Sequence, residues 1–213
     1  MNPEKSFFSE EQKDILQEIM NIAFGNATAD LSEVIDVYVE LSVPDIELLG
    51  AGELPGYFLK SLQSYSRTVI INQRFLGDFK GSGFFVFPNG AGHDLVAMLE
   101  DSDTPCNKAI PADSLEKEII MEIGNILIGA CVGKISELLN TSVVYSPPQA
   151  IYEKSVEFNR FLKSFDPANT VIAMKTVFRF QQKDIKGFIL VITDYESIEW
   201  LKDALDKFME SYQ

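Results

Sequence analysis

The sequence predicts an α+β fold in which two similar units form one pseudo-symmetric layer. The first observation is an internal repeat, because residues 14–33 align with residues 118–137 without gaps at a constant shift of 104 positions. The second is the order of patterns, a long helix followed by apolar strands and another helix in each unit. The third is the composition, with 46% hydrophobic and 23% charged residues, which is typical of a compact globular chain.

The repeat is supported by identical residues at equivalent positions. Eight of the twenty aligned pairs are identical: Ile15/Ile119, Glu18/Glu122, Ile19/Ile123, Asn21/Asn125, Ile22/Ile126, Gly25/Gly129, Ser32/Ser136 and Glu33/Glu137. The same shift aligns residues 83–84 with residues 187–188. We therefore expect a single domain over residues 1–213 that consists of two repeats, about 8–104 and 112–213.

Each repeat is expected to begin with a long helix. Residues 10–40 and 114–142 have apolar residues at helical spacing. Ser9 and Ser114 are the predicted N-caps, because an acidic first turn follows each of them.

Strands and a second helix are expected to follow. Residues 64–75 and 170–181 are rich in Thr, Val, Ile and Phe, and after each comes a glycine and a second apolar segment. This order predicts an antiparallel strand pair in each repeat. The closing helices are predicted at residues 93–100 and 196–212, and residues 101–114, with two prolines, are the expected connector.

The charge balance argues against several kinds of partner. The chain has 32 Asp and Glu residues against 18 Lys and Arg, a net charge of −14, which repels nucleic-acid phosphates and anionic lipid headgroups. No basic start followed by an apolar core opens the chain, and no uncharged apolar run of about 18 residues follows. We therefore expect a cytoplasmic protein that binds neither nucleic acid nor a membrane.

The cysteines and the histidine predict no metal site. Cys106 and Cys131 lie 25 positions apart without a CxxC pattern, and His93 is the only histidine. Neither a zinc site nor a disulfide framework is indicated, so we expect both cysteines to be reduced and structural. His93 is interpreted as a surface or capping residue, since no nucleophile is identifiable as its partner.

The residues that could carry chemistry lie on the two long helices. Each helix has an acidic residue, a glutamate, an asparagine and a glycine, spaced four, three and four positions apart, which places them on one face. They are Asp14, Glu18, Asn21 and Gly25 in the first repeat and Glu118, Glu122, Asn125 and Gly129 in the second. We expect both polar stripes to face solvent.

A purely structural explanation of the stripes is available, because Glu is a good helix former and exposed polar faces are common. Asn, however, costs up to about 0.7 kcal/mol relative to Ala in a helix interior, and Gly costs about 1 kcal/mol. The recurrence of both residues at equivalent positions therefore favours a function. Helix packing across the pseudo-dyad is the alternative explanation for Gly25 and Gly129.

The two motifs resemble those of the CheC group in the CheC/CheX/FliY family of chemotaxis phosphatases. The shared arrangement is Asp or Ser, three residues, Glu, two residues and Asn, found near the start of the chain and again 104 positions later. Residues 25–27, 31–32 and 85–88 add to the resemblance, which spans nearly the entire chain. It implies two α-β-β units that form one continuous, mainly antiparallel sheet with the two long motif helices on one face.

The resemblance also implies a role for each motif residue. Asn21 and Asn125 would orient a water for in-line attack on the phospho-aspartate of a CheY-like response regulator, and Glu18 and Glu122 would engage the active-site lysine of that regulator. The supporting positions would be Asp14, Glu118, Gly25 and Gly129. Phosphoryl transfer depends mainly on positioning and charge stabilisation, so this set needs no added base. Mg²⁺ would come from the regulator, and this chain is expected to bind no cofactor.

Two departures from the family pattern predict unequal sites. The second motif begins with Glu118 where the family has Asp or Ser, and Asn26 has Ala130 as its counterpart. We expect both sites to be competent. The alternative function is a non-catalytic binding or scaffold module of the chemotaxis or flagellar switch system, which docks on a response regulator or a CheD-like deamidase without turnover.

Overall fold

The computed structural model describes residues 8–35, 38–63, 68–88, 112–152, 166–180 and 185–210 and the single positions 94 and 160. Those residues form four α-helices and one eight-stranded sheet. The helices are α1 (Glu10–Ile35), α2 (Leu54–Leu62), α3 (Ala112–Leu138) and α4 (Glu196–Glu210), with a 3-10 turn at Ala51–Glu53. The strands are β1 (Val39–Leu41), β2 (Asp45–Gly50), β3 (Thr68–Gly77), β4 (Gly81–Pro88), β5 (Val143–Tyr145), β6 (Gln149–Tyr152), β7 (Thr170–Phe180) and β8 (Ile185–Thr193).

The sheet is continuous and its strands cross between the two halves of the chain. Its order is β1-β7-β8-β4-β3-β5, with β2 also paired to β7 and β6 also paired to β3. All of these pairings are antiparallel. The hairpins β3–β4 and β7–β8 meet at the centre, and each receives the two short strands of the other half. The predicted α+β fold with one continuous antiparallel sheet is confirmed.

The hydrogen bonds at the two ends of the sheet match each other. The Ser42 amide donates to the Val177 carbonyl at 2.9 Å, and the Val177 amide donates to Ser42 Oγ at 3.0 Å. Ser146 and Arg74 make the same two bonds, also at 2.9 and 3.0 Å. Ser146 lies 104 positions after Ser42, and Val177 lies 103 positions after Arg74. These matched contacts support the two-repeat organisation, which stays a prediction.

Apolar clusters cover both faces of the sheet. The larger one lies under α1, α3 and α4, where the rings of Phe85 and Phe178 stack with their centroids 4.6 Å apart. The smaller one lies under α2, where Phe58 meets the ring of Phe84 edge-on at 5.1 Å. The two long motif helices therefore share one face of the sheet, as the resemblance implies.

The two motif helices sit differently on the sheet. Helix α3 packs directly on β3 and β4, whereas the contacts of α1 are mainly with α3, α4, β1 and β2. A Cβ atom at Gly124 would lie 2.9 Å from the Cβ of Ile71, so the absent side chain permits this close approach. The counterpart of Gly124 in α1 is Met20, which is fully buried.

Helix α3 is also the one described helix that is long and apolar enough to cross a membrane, judged by length and composition alone over Lys117–Leu138. Half of that stretch is buried inside the domain, against α1 and the sheet. A core helix of this kind is apolar because it packs on two neighbours, so its composition has a structural explanation.

The structure corrects the predicted helix limits. Helix α1 ends at Ile35 rather than at residue 40, because the β-branched and aromatic residues beyond it lead into β1. Helix α3 begins at Ala112, so Ser114 lies inside the helix and its prediction as N-cap is wrong; Ala and Asp are favourable in a first turn. Ser9 is confirmed as N-cap, since the Gln12 amide donates to Ser9 Oγ at 3.0 Å.

The long strands agree with the prediction from the sequence, whereas the short elements were not predicted. The predicted antiparallel pairs are present as β3–β4 and β7–β8. Helix α2 was missed because Pro55 and Gly56 interrupt its pattern, and β1 and β5 have only three residues each. The predicted helix at residues 93–100, the connector up to residue 111 and the residues His93 and Cys106 lie outside the described residues, except for Asp94.

We expect Gly124→Ala to lower the free energy of unfolding by about 1–3 kcal/mol, because the added methyl group overpacks the contact with Ile71. Urea unfolding followed by circular dichroism measures this change. Gly129→Ala on the same helix is the matched control: a Cβ there has no atom within 4 Å, so the variant should be neutral or more stable by up to about 1 kcal/mol. Equal stability of the two variants would contradict the close packing at Gly124.

Candidate active site

The first motif lies on the solvent face of α1. Asp14, Glu18, Asn21 and Gly25 are all exposed. The buried face of the same helix consists of Leu16, Ile19, Met20, Ala23, Phe24 and Ala27. This 3.6-residue periodicity turns the polar stripe away from the core. The structure therefore places the first set of predicted site residues together where a second protein can reach them.

The second motif is only partly exposed on α3. Glu118 and Glu122 are exposed, whereas Asn125 and Gly129 are half-buried. Because α3 lies closer to the sheet than α1 does, the C-terminal part of the second motif, which contains Asn125 and Gly129, is partly covered. The expectation that both stripes face solvent is therefore correct for the two glutamates and only partly correct for Asn125.

A buried glutamine on β3 holds the second asparagine. Gln73 is 3% exposed, and its Nε2 donates to Asn125 Oδ1 at 2.8 Å and to the Ser146 carbonyl at 3.0 Å. Asn21, in contrast, makes no side-chain hydrogen bond with any part of the chain that the structure describes. Gln73 was not among the site residues predicted from the sequence, although an amide within an otherwise apolar strand indicates a specific hydrogen-bond partner.

The motif glycines have open space around them. A Cβ atom at Gly25 or at Gly129 would have no neighbour within 4 Å among the residues that the structure describes. Helix packing therefore does not explain these two residues, and the alternative explanation offered by the sequence is not supported. The missing side chains leave room for another molecule to approach the backbone of α1 and α3.

A cleft of about 540 Å³ borders the first motif, between α1 and β1. Asn21, Gly25 and residues 38–43 contribute to its lining. Two apolar side chains of this lining are exposed, Tyr38 at 59% and Val43 at 67%. An exposed apolar rim beside polar residues is a usual feature of protein docking surfaces.

The corresponding space in the second half contains a tyrosine. Tyr145 is the counterpart of Leu41, and its hydroxyl donates to the Gly129 carbonyl at 3.0 Å. Burial, with a smaller contribution from Cys131, raises the pKa of Tyr145 to about 12. Cys131 itself is free and buried, and burial raises its pKa as well, as expected for a structural thiol. The two candidate sites therefore differ in shape.

The described residues contain no group of three or more His, Cys, Asp or Glu side chains placed to hold a metal ion. The prediction that Mg²⁺ comes from a partner is not tested by this finding. The exposed carboxylates of both stripes are available instead to pair with a cation on another protein.

Comparisons with known proteins find similar proteins over nearly the whole chain. A model of the CheC-like family matches residues 11–48, which include the first motif. The chain is 24% identical over 200 residues to the CheY-P phosphatase CheC of Bacillus subtilis (strain 168), covering 92% of this chain and 94% of that protein. The crystal structure of Thermotoga maritima FliY matches with a TM-score of 0.70 at 18% identity, covering 94% of this chain and 98% of that chain. The resemblance to the CheC/CheX/FliY family predicted from the sequence is confirmed.

The same fold is also found in a differently named protein. The FliM middle domain from H. pylori matches with a TM-score of 0.56 at 14% identity, covering 92% of this chain and 99% of that chain. Structural likeness at such identities shows the fold alone, and one fold can carry more than one function. The function must therefore be argued from the site.

We expect Tyr145→Phe to lower the free energy of unfolding by about 0.5–1.5 kcal/mol at neutral pH, because the hydrogen bond to Gly129 is lost. The folded-state pKa of about 12 lies above the ordinary 10.0, so the folded chain holds this proton more tightly. The protonated Tyr145 hydroxyl therefore contributes to the free energy of unfolding. This contribution is complete below pH 10 and is lost as the pH rises through 12. Urea unfolding of both proteins between pH 7 and the alkaline range measures both effects.

Tyr195→Phe is the control for this comparison, because Tyr195 is 46% exposed. A loss as large at Tyr195 as at Tyr145 would contradict the importance of the buried contact.

Proposed function

We propose that this chain is a phosphatase that hydrolyses the phospho-aspartate of a CheY-like response regulator. The observation that carries this proposal is the pairing of an exposed glutamate with an asparagine on each motif helix, beside a glycine with open space around it. A partner can approach these helices closely enough for the asparagine carboxamide to enter its active site. The residues proposed to act are Glu18 with Asn21 and Glu122 with Asn125.

The proposed reaction is an in-line attack of water on phosphorus. The asparagine Oδ1 accepts a hydrogen bond from the water and orients its oxygen opposite the aspartyl oxygen. The new P–O bond forms to water as the acyl phosphate P–O bond breaks, which releases inorganic phosphate and restores the aspartate carboxylate. The proton of the water leaves with the phosphate. The paired glutamate binds the lysine of the regulator through a charge-assisted hydrogen bond and fixes the inserted helix.

The near full-length match to a protein named CheY-P phosphatase supports the proposed substrate class. On the same basis we propose that the regulator supplies Mg²⁺ and that the chain works in the cytoplasm. A CheD-like deamidase is a further proposed partner. The exposed apolar rim of the first cleft gives such a protein a surface to contact.

A non-catalytic docking module is the second candidate function. One observation favours it, because a FliM middle domain has the same fold. A module of this kind would bind the regulator through the same helices without releasing phosphate.

Phosphate release from a phosphorylated CheY-like regulator distinguishes the two functions. We expect the native chain to accelerate release. Asn21→Ala and Asn125→Ala should each keep the activity of the remaining site. In the double variant the rate of release should fall about 10²-fold or more, as when one transition-state contact is removed from an enzyme. Gln63→Ala, an exposed amide beyond α2 on the other face of the sheet, should leave the rate unchanged. No acceleration by the native chain would reject the phosphatase and leave the docking module.

The salt dependence of binding should follow from the net charge of −14. Against an acidic regulator, moderate salt screens long-range repulsion more than it weakens short contacts, so we expect tighter binding at about 0.15 M than at about 0.01 M ionic strength. Calorimetric titration with a regulator carrying a phosphate mimic measures this trend. Steady weakening over that range would instead show that exposed glutamate–lysine pairs dominate the association.

A further inference from the structure

We propose that Gln73 is a positioning residue for Asn125 and that it makes the second site different in kind from the first. This inference rests on the proposed function, because it concerns how one of the two asparagines is presented to the regulator. It assigns a role to a strand residue 52 positions before Asn125 in the chain.

The direction of the Gln73 amide is fixed by its surroundings. The side chain points toward α3. Gln73 lies two positions from both Ile71 and Phe75 on β3, so it shares the face that these two residues of the larger apolar cluster occupy. The Ser146 carbonyl can only accept a hydrogen bond, so the group facing it at 3.0 Å must be Nε2. The second hydrogen of Nε2 is then directed at Asn125, 2.8 Å away.

This contact also fixes the orientation of Asn125. Its Oδ1 accepts from Gln73, so its Nδ2 is turned away from the strand. A carbonyl oxygen has a second lone pair, which leaves Oδ1 able to accept a hydrogen bond from water. The carboxamide is therefore held in one orientation before any partner arrives.

The burial of Gln73 indicates that this arrangement has a purpose other than stability. Gln73 Oε1 is buried and has no hydrogen-bond partner among the residues that the structure describes. An unpaired buried acceptor destabilises a fold, and an apolar side chain would avoid that cost at a strand position facing the core. The hydrogen bond from Nε2 to Asn125 explains why this position has an amide.

The first site, on α1, lacks the corresponding contact. Thr176, next to Val177, occupies the place that Gln73 has next to Arg74, and its Oγ1 donates to the Ser42 carbonyl at 3.2 Å. A hydroxyl has one hydrogen to donate where an amide nitrogen has two. Once Thr176 has bonded to Ser42, it has none left for Asn21.

The close packing of α3 brings the two amides together. Gly124, directly before Asn125, lies against Ile71, two residues before Gln73 on β3. At the first site, on α1, the corresponding positions are Met20 and Met174, both buried in the larger apolar cluster. The small residue in α3 and the long amide on β3 therefore act together, and neither has a counterpart at the first site.

Holding Asn125 in place should speed the second site. Fixing one side chain in advance removes an ordering cost that corresponds to roughly a 2- to 12-fold change in rate. The change belongs in kcat rather than in KM, because docking depends on the surface of α3 and the glutamate. Asn21, which has no such contact, must be ordered during binding.

The test isolates the second site in the Asn21→Ala background and adds Gln73→Thr, which introduces the residue type that Thr176 provides at the first site. We expect kcat for phosphate release to fall roughly 2- to 12-fold with KM nearly unchanged. Asn72→Thr in the same background is the matched control, because Asn72 neighbours Gln73 on β3 and its Nδ2 donates to the Gly83 carbonyl. It should leave kcat unchanged.

A readout independent of activity is the NMR signal of the side-chain amides. In the Asn21→Ala protein, the Gln73 Nε2 protons should exchange slowly, and the Asn125 Nδ2 signal should move toward that of a free side chain after Gln73→Thr. Circular dichroism and urea unfolding verify that each variant is folded.

The outcomes separate the inference from the proposed function. If the Asn21→Ala protein releases phosphate but Gln73→Thr leaves kcat unchanged or raises it, the positioning role is overturned while the phosphatase stands. If neither the native chain nor Asn21→Ala releases phosphate, the proposed function fails, and the NMR signals still decide whether Gln73 holds Asn125. If the chemical shift of the Asn125 Nδ2 signal does not change after Gln73→Thr, the inference is overturned in either case.

Discussion

The short strands β1 and β2 hydrogen-bond to β7, and β5 and β6 hydrogen-bond to β3, so each half of the chain completes the sheet of the other half. The hairpins also pair with each other through β4 and β8 at the centre. This exchange of strands fixes α1 and α3 side by side on one face. The solvent faces of the two motif helices are consequently held in a constant relation, and every property of the candidate sites depends on that frame.

Within this frame, a few substitutions make the two sites unequal. Where the first site, on α1, is bordered by Met20, Leu41 and Thr176, the second site, on α3, is bordered by a glycine, a tyrosine and a glutamine. The glycine brings α3 toward the sheet, the tyrosine occupies space beside the motif, and the glutamine binds the asparagine. The first site is open and its asparagine makes no side-chain hydrogen bond with the described residues, whereas the second is more enclosed and its asparagine is held.

The parts of the structure that depend on local periodicity were predictable, and those that depend on contacts distant in the chain were not. The stripe containing Glu18 and Asn21 follows from helical spacing, and the long hairpins follow from β-branched runs bounded by glycine. The strand β1 has too few residues to produce a pattern. The bond between Gln73 and Asn125 joins residues 52 positions apart, and no feature of either segment alone specifies the other as its partner.

The crossing of strands between the two halves has a consequence for how such a chain could arise. A lone half would expose the edge of its hairpin and would have no place for its own short strands, so it would be stable only as a symmetric pair with a second copy. Linking two such halves in one polypeptide removes the dependence of folding on protein concentration. It also lets the two halves differ in sequence, which identical subunits cannot do, and the amide of Gln73 on β3 and the hydroxyl of Thr176 on β7 are such a difference.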